Sequence, residues 1–301
     1  MRVTTNGLYD AGARRMAQLS ARADAAQTSI ATGKRVVAPS DDAPAWRALA
    51  GLARAKTDGK AYEGNLDLAA GVLATADAAL GNMAERLQRA TELAVEAANG
   101  TYTADQRRSI GAELSEVLDT LVGIANGSDA RGRPLFGGAD GGPALTAVAG
   151  GGFALASTTP SAIPVGEGQS VQANESARRV FGFSGAGGPT DMFAVVAGLA
   201  AALAAGDATG EAARAAIDDL NLAGDQLANA QGSLGARAAR VEVALTLADE
   251  AAGAREEARG ALEDTDIATA VTELQKTMTV LQATQASFAK LSALSLFDYL
   301  R

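Results

Sequence analysis

Near both ends of this chain, apolar or small residues recur at alternating intervals of three and four. Tyr9, Gly12, Met16, Leu19, Ala23, Ala26 and Ile30 form one row. Ile267, Val271, Leu274, Met278, Leu281, Gln285, Phe288, Ser292 and Ser295 form the other. A sustained 3-4 repeat marks a helix with one seam against a partner helix. The spacing therefore predicts one helix over residues 4–32 and another from 264–266 onward. Two such seams predict that residues 1–32 lie against 264–301. Charge points the same way: residues 1–50 hold seven Lys/Arg and four Asp/Glu, whereas 211–270 hold five and twelve. Segments of opposite sign favour pairing, within one chain or between two.

Gly33 stops the first helix. Pro39 and Pro44 forbid a continuous helix through the next stretch, and Ser40, Asp41 or Asp42 supplies an N-cap for a helix over 43–98. That helix carries Leu52, Leu66, Leu73, Leu80 and Leu87 on one seven-residue series, yet it also contains several glycines. Each glycine costs about 0.5–1 kcal/mol relative to alanine, so partners rather than propensity must hold the helix. Thr103 to Gln106 fits a capping box for a third helix over 103–125, antiparallel to the second. Glycine and proline then concentrate between 127 and 189. Leu145/Ala147, Phe153/Leu155, Ile163/Val165 and Val171/Ala173 give short alternating fragments, read as strands. A short helix follows Asp191. A long one over 210–263 keeps Leu220, Leu227, Leu234 and Val241 in heptad register.

The expected organisation is an N-terminal coiled-coil segment (1–42), a helical hairpin (43–130), a small Gly-rich β domain (131–190), a helical return (191–263) and a C-terminal coiled-coil segment (264–301). The fold class is mainly α: an elongated helical core built from both chain ends, with the β-rich domain inserted in the middle.

Composition removes most chemistry. The 301 residues include no Cys and no His, which excludes thiol nucleophiles, Cys/His metal sites and Ser-His-Asp triads. The net charge of −9, with basic residues scattered, argues against a nucleic-acid partner. No apolar run reaches the length of a membrane span, and no apolar stretch follows Met1-Arg2, so neither a membrane helix nor a cleavable signal is expected. Tandem carboxylates such as Asp41-Asp42 and Glu263-Asp264 fall at helix starts or on solvated faces, and the glycine clusters complete no phosphate-binding pattern. No catalytic residue, cofactor site or metal site is expected. The chain is 48% apolar but only 4% aromatic, so alanine-rich seams bury little area per helix pair. The tail residues Leu296, Phe297, Tyr299 and Leu300 demand a cover.

The run from Ile30 through Gly33, Lys34, Arg35, Ser40, Asp41 and Asp42 to Pro44 resembles the signature that follows the first helix in the flagellin superfamily. The proline behind the paired aspartates is more like the hook–filament junction proteins than flagellin, which usually has Ala-Ala-Gly there; Ala43, inserted before Pro44, is a departure. Phe136-Gly137-Gly138 is similar to a junction-protein element, as are Ile163 to Phe181, Leu234 to Arg237, Asp264 to Ala268 and Leu294 to Leu300. The resemblance covers nearly the whole chain. It implies a structural adapter between the first hook-associated protein and flagellin, self-associating in a ring, with an export chaperone as a further partner. It also implies termini that pair on assembly, and export through the flagellar type III apparatus to an extracellular position on the bacterial flagellum. On that reading Tyr9, Met16, Leu19 and Ile30 form the N-terminal assembly seam. Ile267, Val271, Leu274, Met278, Leu281, Phe288 and the tail form the C-terminal one. The alternative is a short flagellin that polymerises into the filament itself.

Overall fold

The computed structural model describes residues 2–148, 152–207 and 209–299, with side chains at 7, 9–148, 152–207 and 209–290. Among the described residues, seven helices and six strands run in the order α1 (Arg2–Thr32), α2 (Ala43–Ala98), α3 (Ala104–Ala125), β1 (Leu145–Ala147), β2 (Phe153–Leu155), β3 (Ile163–Gly166), β4 (Gln169–Val171), α4 (Ala177–Phe181), β5 (Gly182–Gly185), β6 (Gly188–Asp191), α5 (Met192–Ala204), α6 (Glu211–Glu263) and α7 (Ile267–Tyr299). The mainly α fold with a small β region in mid-chain is thus observed.

Local chemistry sets the helix boundaries. Asp42 caps α2: its Oδ1 accepts from the Ala45 N–H at 3.0 Å. Thr103 and Gln106 form the anticipated capping box of α3. Asp191 accepts from the Phe193 and Ala194 amides at the start of α5. Asp266 does the same for Ala268 and Thr269 at the start of α7. Each cap satisfies amide donors that the first helical turn leaves open.

The chain divides into two compact units, one from Met1–Asp58 with Glu250–Arg301 and one from Gly59–Asp249. In the first unit α1 and α7 lie antiparallel. Tyr9, early in α1, meets Phe288, late in α7, edge to face at 5.4 Å, while Gly33 and Thr265 meet at the other end. The α1 row Tyr9, Gly12, Met16, Leu19, Ala23, Ala26 and Ile30 is half-buried or buried throughout. Gly12 permits the close approach, because a Cβ there would sit 2.9 Å from the Phe288 ring.

In the second unit the core is built on two rows. Leu66, Leu73, Leu80, Met83 and Leu87 come from α2, and Leu220, Leu227, Leu234 and Val241 from α6. α3 adds Ile110, Leu114 and Leu121, and packs closely on α5 at Gly111, where a Cβ would lie 3.1 Å from the Ala200 carbonyl oxygen. The strands form three separate antiparallel hairpins, β1–β2, β3–β4 and β5–β6. Phe136, Phe181, Phe193 and Phe153 pack edge to face in sequence beneath them.

Two elements depart from the sequence reading. Residues 177–181 form a helix, α4, and residues 182–185 and 188–191, given no strand by the sequence pattern, pair as the β5–β6 hairpin with the glycine cluster Gly185–Gly188 at its turn. That hairpin has no apolar alternation to betray it. It is fixed from outside, by Asp219 of α6, whose Oδ1 accepts from the Ala186 N–H at 2.9 Å.

Candidate assembly surface

The signature segment works as a clasp between two helix turns. Gly33 takes a φ of +70°, a conformation suited to glycine, and its carbonyl accepts from the Thr265 N–H at 2.9 Å. The Arg35 N–H donates to the Glu263 carbonyl at 2.6 Å, and the Arg35 guanidinium donates to the Leu262 carbonyl at 2.8 Å. Lys34 ion-pairs with Glu263, which also holds Arg259. Arg259 pairs in turn with Glu256, and Glu256 with Lys56 at 3.4 Å. The result is a ladder of alternating charge, Lys34–Glu263–Arg259–Glu256–Lys56. Lys34, and after it Arg259, holds the Glu263 carboxyl below its ordinary range. Arg259, and after it Lys56, does so for Glu256.

The paired aspartates divide their labour. Asp41 does not cap α2; its Oδ2 accepts from the Val37 and Ala38 amides at 3.0 and 2.8 Å and closes the loop before the helix. Those amides, Ala38 foremost, hold the Asp41 carboxyl below its usual value. Asp42 is lowered first by the Ala45 amide and then by Arg35, which pairs with it at 3.1 Å. Ser40 is exposed and makes a 3.4 Å hydrogen bond to Asp41. Pro44 occupies the first turn of α2, where its missing N–H costs nothing.

Phe136 is fully buried. Gly137 has no room for a side chain, and at Gly138 a side chain would have to displace Thr158 and Asp140. A Cβ on Gly137 would meet the Gly142 carbonyl oxygen at 2.5 Å, and one on Gly138 would meet Thr158 Oγ1 at 2.5 Å.

The C-terminal seam needs correction. Leu274, Leu281 and Phe288 are half-buried. The row that alternates with them is Ala270, Thr277 and Thr284, with Thr277 only 5% exposed. Ile267, Val271 and Met278 instead stand 54%, 36% and 44% exposed, as does Val280 at 44%. α7 is thus apolar on both flanks of the Leu274–Leu281–Phe288 row. The flank with small residues faces α1, where Gly12, Ala23 and Ala26 allow close approach, and the bulky flank is left open. The side chains of Leu296, Phe297 and Tyr299, and Leu300 altogether, lie outside the described residues. Sequence reasoning missed Arg107, a buried guanidinium that donates to the Ala97 and Asn99 carbonyls at the end of α2. Its polar identity gives no sign of burial in the heptad pattern.

Two family models match the segments that this geometry brings together. The bacterial flagellin N-terminal helical region matches residues 3–140, and the C-terminal helical region matches 217–300. This chain belongs to the bacterial flagellin family. Within it, the chain is 30% identical over 138 residues to flagellar hook-associated protein 3 of Salmonella typhimurium, covering 46% of this chain and 44% of that relative. It is 32% identical over 101 residues to the flagellin of Listeria monocytogenes, covering 34% and 35%. The chain therefore spans less than half the length of the curated relatives it matches. A solved structure assigned to a flagellar hook-associated protein of Vibrio parahaemolyticus shares its fold. The TM-score is 0.66 and the identity 19%, over 74% of this chain and 99% of that one.

Proposed function

We propose that this flagellin-family chain is a structural adapter joining the flagellar hook, through the first hook-associated protein, to the flagellin filament. The observation that carries the reading is α7. Its seam to α1 is filled, yet Ile267, Val271 and Met278 remain open to solvent beside it. A helix apolar on more than one side is built for more than one partner helix. The identity with hook-associated protein 3 supports the junction over the filament as its place.

In this role residues 1–42 and 264–301 form the assembly core, 43–130 and 191–263 carry the helical body, and 131–190 stand as the β-rich insertion. Copies associate in a ring at the junction through the open flank of α7, and the C-terminal segment is held by a chaperone before export. The protein takes an extracellular position on the flagellum and performs no chemical step. Seams of alanine and threonine suit such a subunit, because neighbours supply burial that the single chain lacks.

A second reading, a short flagellin, is favoured by the match to Listeria flagellin. Deleting the gene separates the two. Loss of the adapter leaves hooks without filaments while flagellin accumulates in the medium. Normal filaments on the deletion strain would overturn the junction role. A strain that has lost its major filament protein would establish the flagellin reading.

A further inference from the structure

Two Asn-Gly pairs stand at helix ends, Asn99-Gly100 after α2 and Asn126-Gly127 after α3. Their surroundings differ. The Asn126 amide is held on both sides, its Oδ1 accepting from the Leu145 N–H at 2.9 Å and its Nδ2 donating to the Leu145 carbonyl at 3.3 Å. The Gly127 N–H is also committed, to the Ile124 carbonyl at 3.0 Å. Asn99, by contrast, is exposed. Its Oδ1 accepts from both the Thr101 N–H at 3.1 Å and the Thr101 hydroxyl at 3.0 Å. Among the described residues, neither its Nδ2 nor the Gly100 N–H has an acceptor. The amide carbonyl is therefore polarised by two donors, the neighbouring backbone nitrogen is free, and the leaving nitrogen faces water.

We propose that Asn99 is a site of spontaneous deamidation. The Gly100 backbone nitrogen attacks Asn99 Cγ, a new N–Cγ bond forms and the nitrogen gives up its proton to solvent. The Cγ–Nδ2 bond breaks, and Nδ2 takes a proton from water and leaves as ammonia. The cyclic imide then adds one water molecule and opens to aspartate or isoaspartate. No oxidant or enzyme is required. The product places a new negative charge at the C-terminal end of α2, where the helix carbonyls already concentrate negative charge. Arg107 and Arg214 stand there to receive it. Arg107 Nη2 donates to the Asn99 carbonyl at 2.9 Å, and Arg214 Nη1 to the Ala98 carbonyl at 2.9 Å. In the isoaspartate product the backbone runs through Cβ and Cγ, one methylene longer, and the former main-chain carbonyl of residue 99 that Arg107 holds becomes a carboxylate. Ageing of the chain thus acts on the capped end of its longest helix.

The test is peptide mapping by mass spectrometry after incubating the full chain in mildly alkaline buffer. The Asn99 peptide acquires the amide-to-acid mass change while the Asn126 peptide keeps its amide. Gly100→Ala fits the fold, because a Cβ there meets nothing within 4 Å and the residue does not hold a positive φ. It crowds the attack on Cγ, and conversion at Asn99 slows about tenfold, equivalent to about 1.4 kcal/mol of added barrier. Conversion at Asn126 as fast as at Asn99, or an unchanged rate in Gly100→Ala, overturns the proposal.

Discussion

Replacing Gly137 by alanine tests whether the Phe136-Gly137-Gly138 element is a forced turn or a recognition surface. The added methyl would lie 2.5 Å from the Gly142 carbonyl oxygen and 2.7 Å from Pro134 Cβ. Close carbon–oxygen contacts in proteins settle near 3.3–3.6 Å, so something must move by roughly 0.8–1 Å. Neither neighbour can rotate away, since one is backbone and the other a proline ring. Overpacking of this kind costs about 1–3 kcal/mol. In a unit the size of residues 59–249, each kcal/mol is worth about 2–4 °C, and a fall in melting temperature of roughly 2–12 °C is expected. Gly232→Ala is the control: that glycine is exposed within α6 and nothing lies near its Cβ direction. There alanine should stabilise by about 0.5–1 kcal/mol. Differential scanning calorimetry of both variants decides. If Gly137→Ala melts with the parent chain, the cradle is not tight and the two glycines must be explained by what they bind.

Three further outcomes follow from the same geometry. Met278→Asp, on the open flank of α7, should leave the stability of the single chain within about 0.5 kcal/mol while abolishing incorporation into flagella. Motility and immunodetection on isolated hooks read it, and normal incorporation would sink the assembly role of that flank. Arg107→Met strips hydrogen bonds from the Ala97 and Asn99 carbonyls and should cost about 1–3 kcal/mol in urea unfolding. The clasp should weaken in acid. Glu263 and Glu256 titrate below their ordinary 4.5, so their contribution is complete above that pH and is lost as pH falls through the lowered values. Hydrogen exchange at Arg35 and Thr265 should accelerate over that interval, and a flat profile would show that the ion ladder does not hold the backbone.

Much of the fold is written in local pattern. The α1 row from Tyr9 to Ile30 is the row that meets α7, and Leu145, Phe153 and Ile163 each begin a strand. Periodicity fails where a helix has more apolar faces than one seam needs. On α7 it cannot choose between Val271/Met278 and Ala270/Thr277, because the choice depends on how close Gly12 and Ala23 let the other helix come. It fails again at β5–β6, whose Gly, Pro and Ser carry no alternation and whose place depends on Asp219, 33 residues beyond Ala186. The clasp lies between these extremes: the basic excess over residues 1–50 and the acidic excess over 211–270 point to pairing, but that Lys34 meets Glu263 and Arg35 the Leu262 carbonyl emerges only in three dimensions.

The clasp also dictates an order of events. Arg35 reaches across 227 residues to Leu262, whereas its bond to Asp42 spans only seven. The longer closure represents about five doublings of loop length, an entropic deficit near 3 kcal/mol that must be met before the contact returns anything. Contacts of such sequence separation form late. Helix α1 therefore waits until α7 has been made, and its seam cannot be completed by a chain that still lacks that helix.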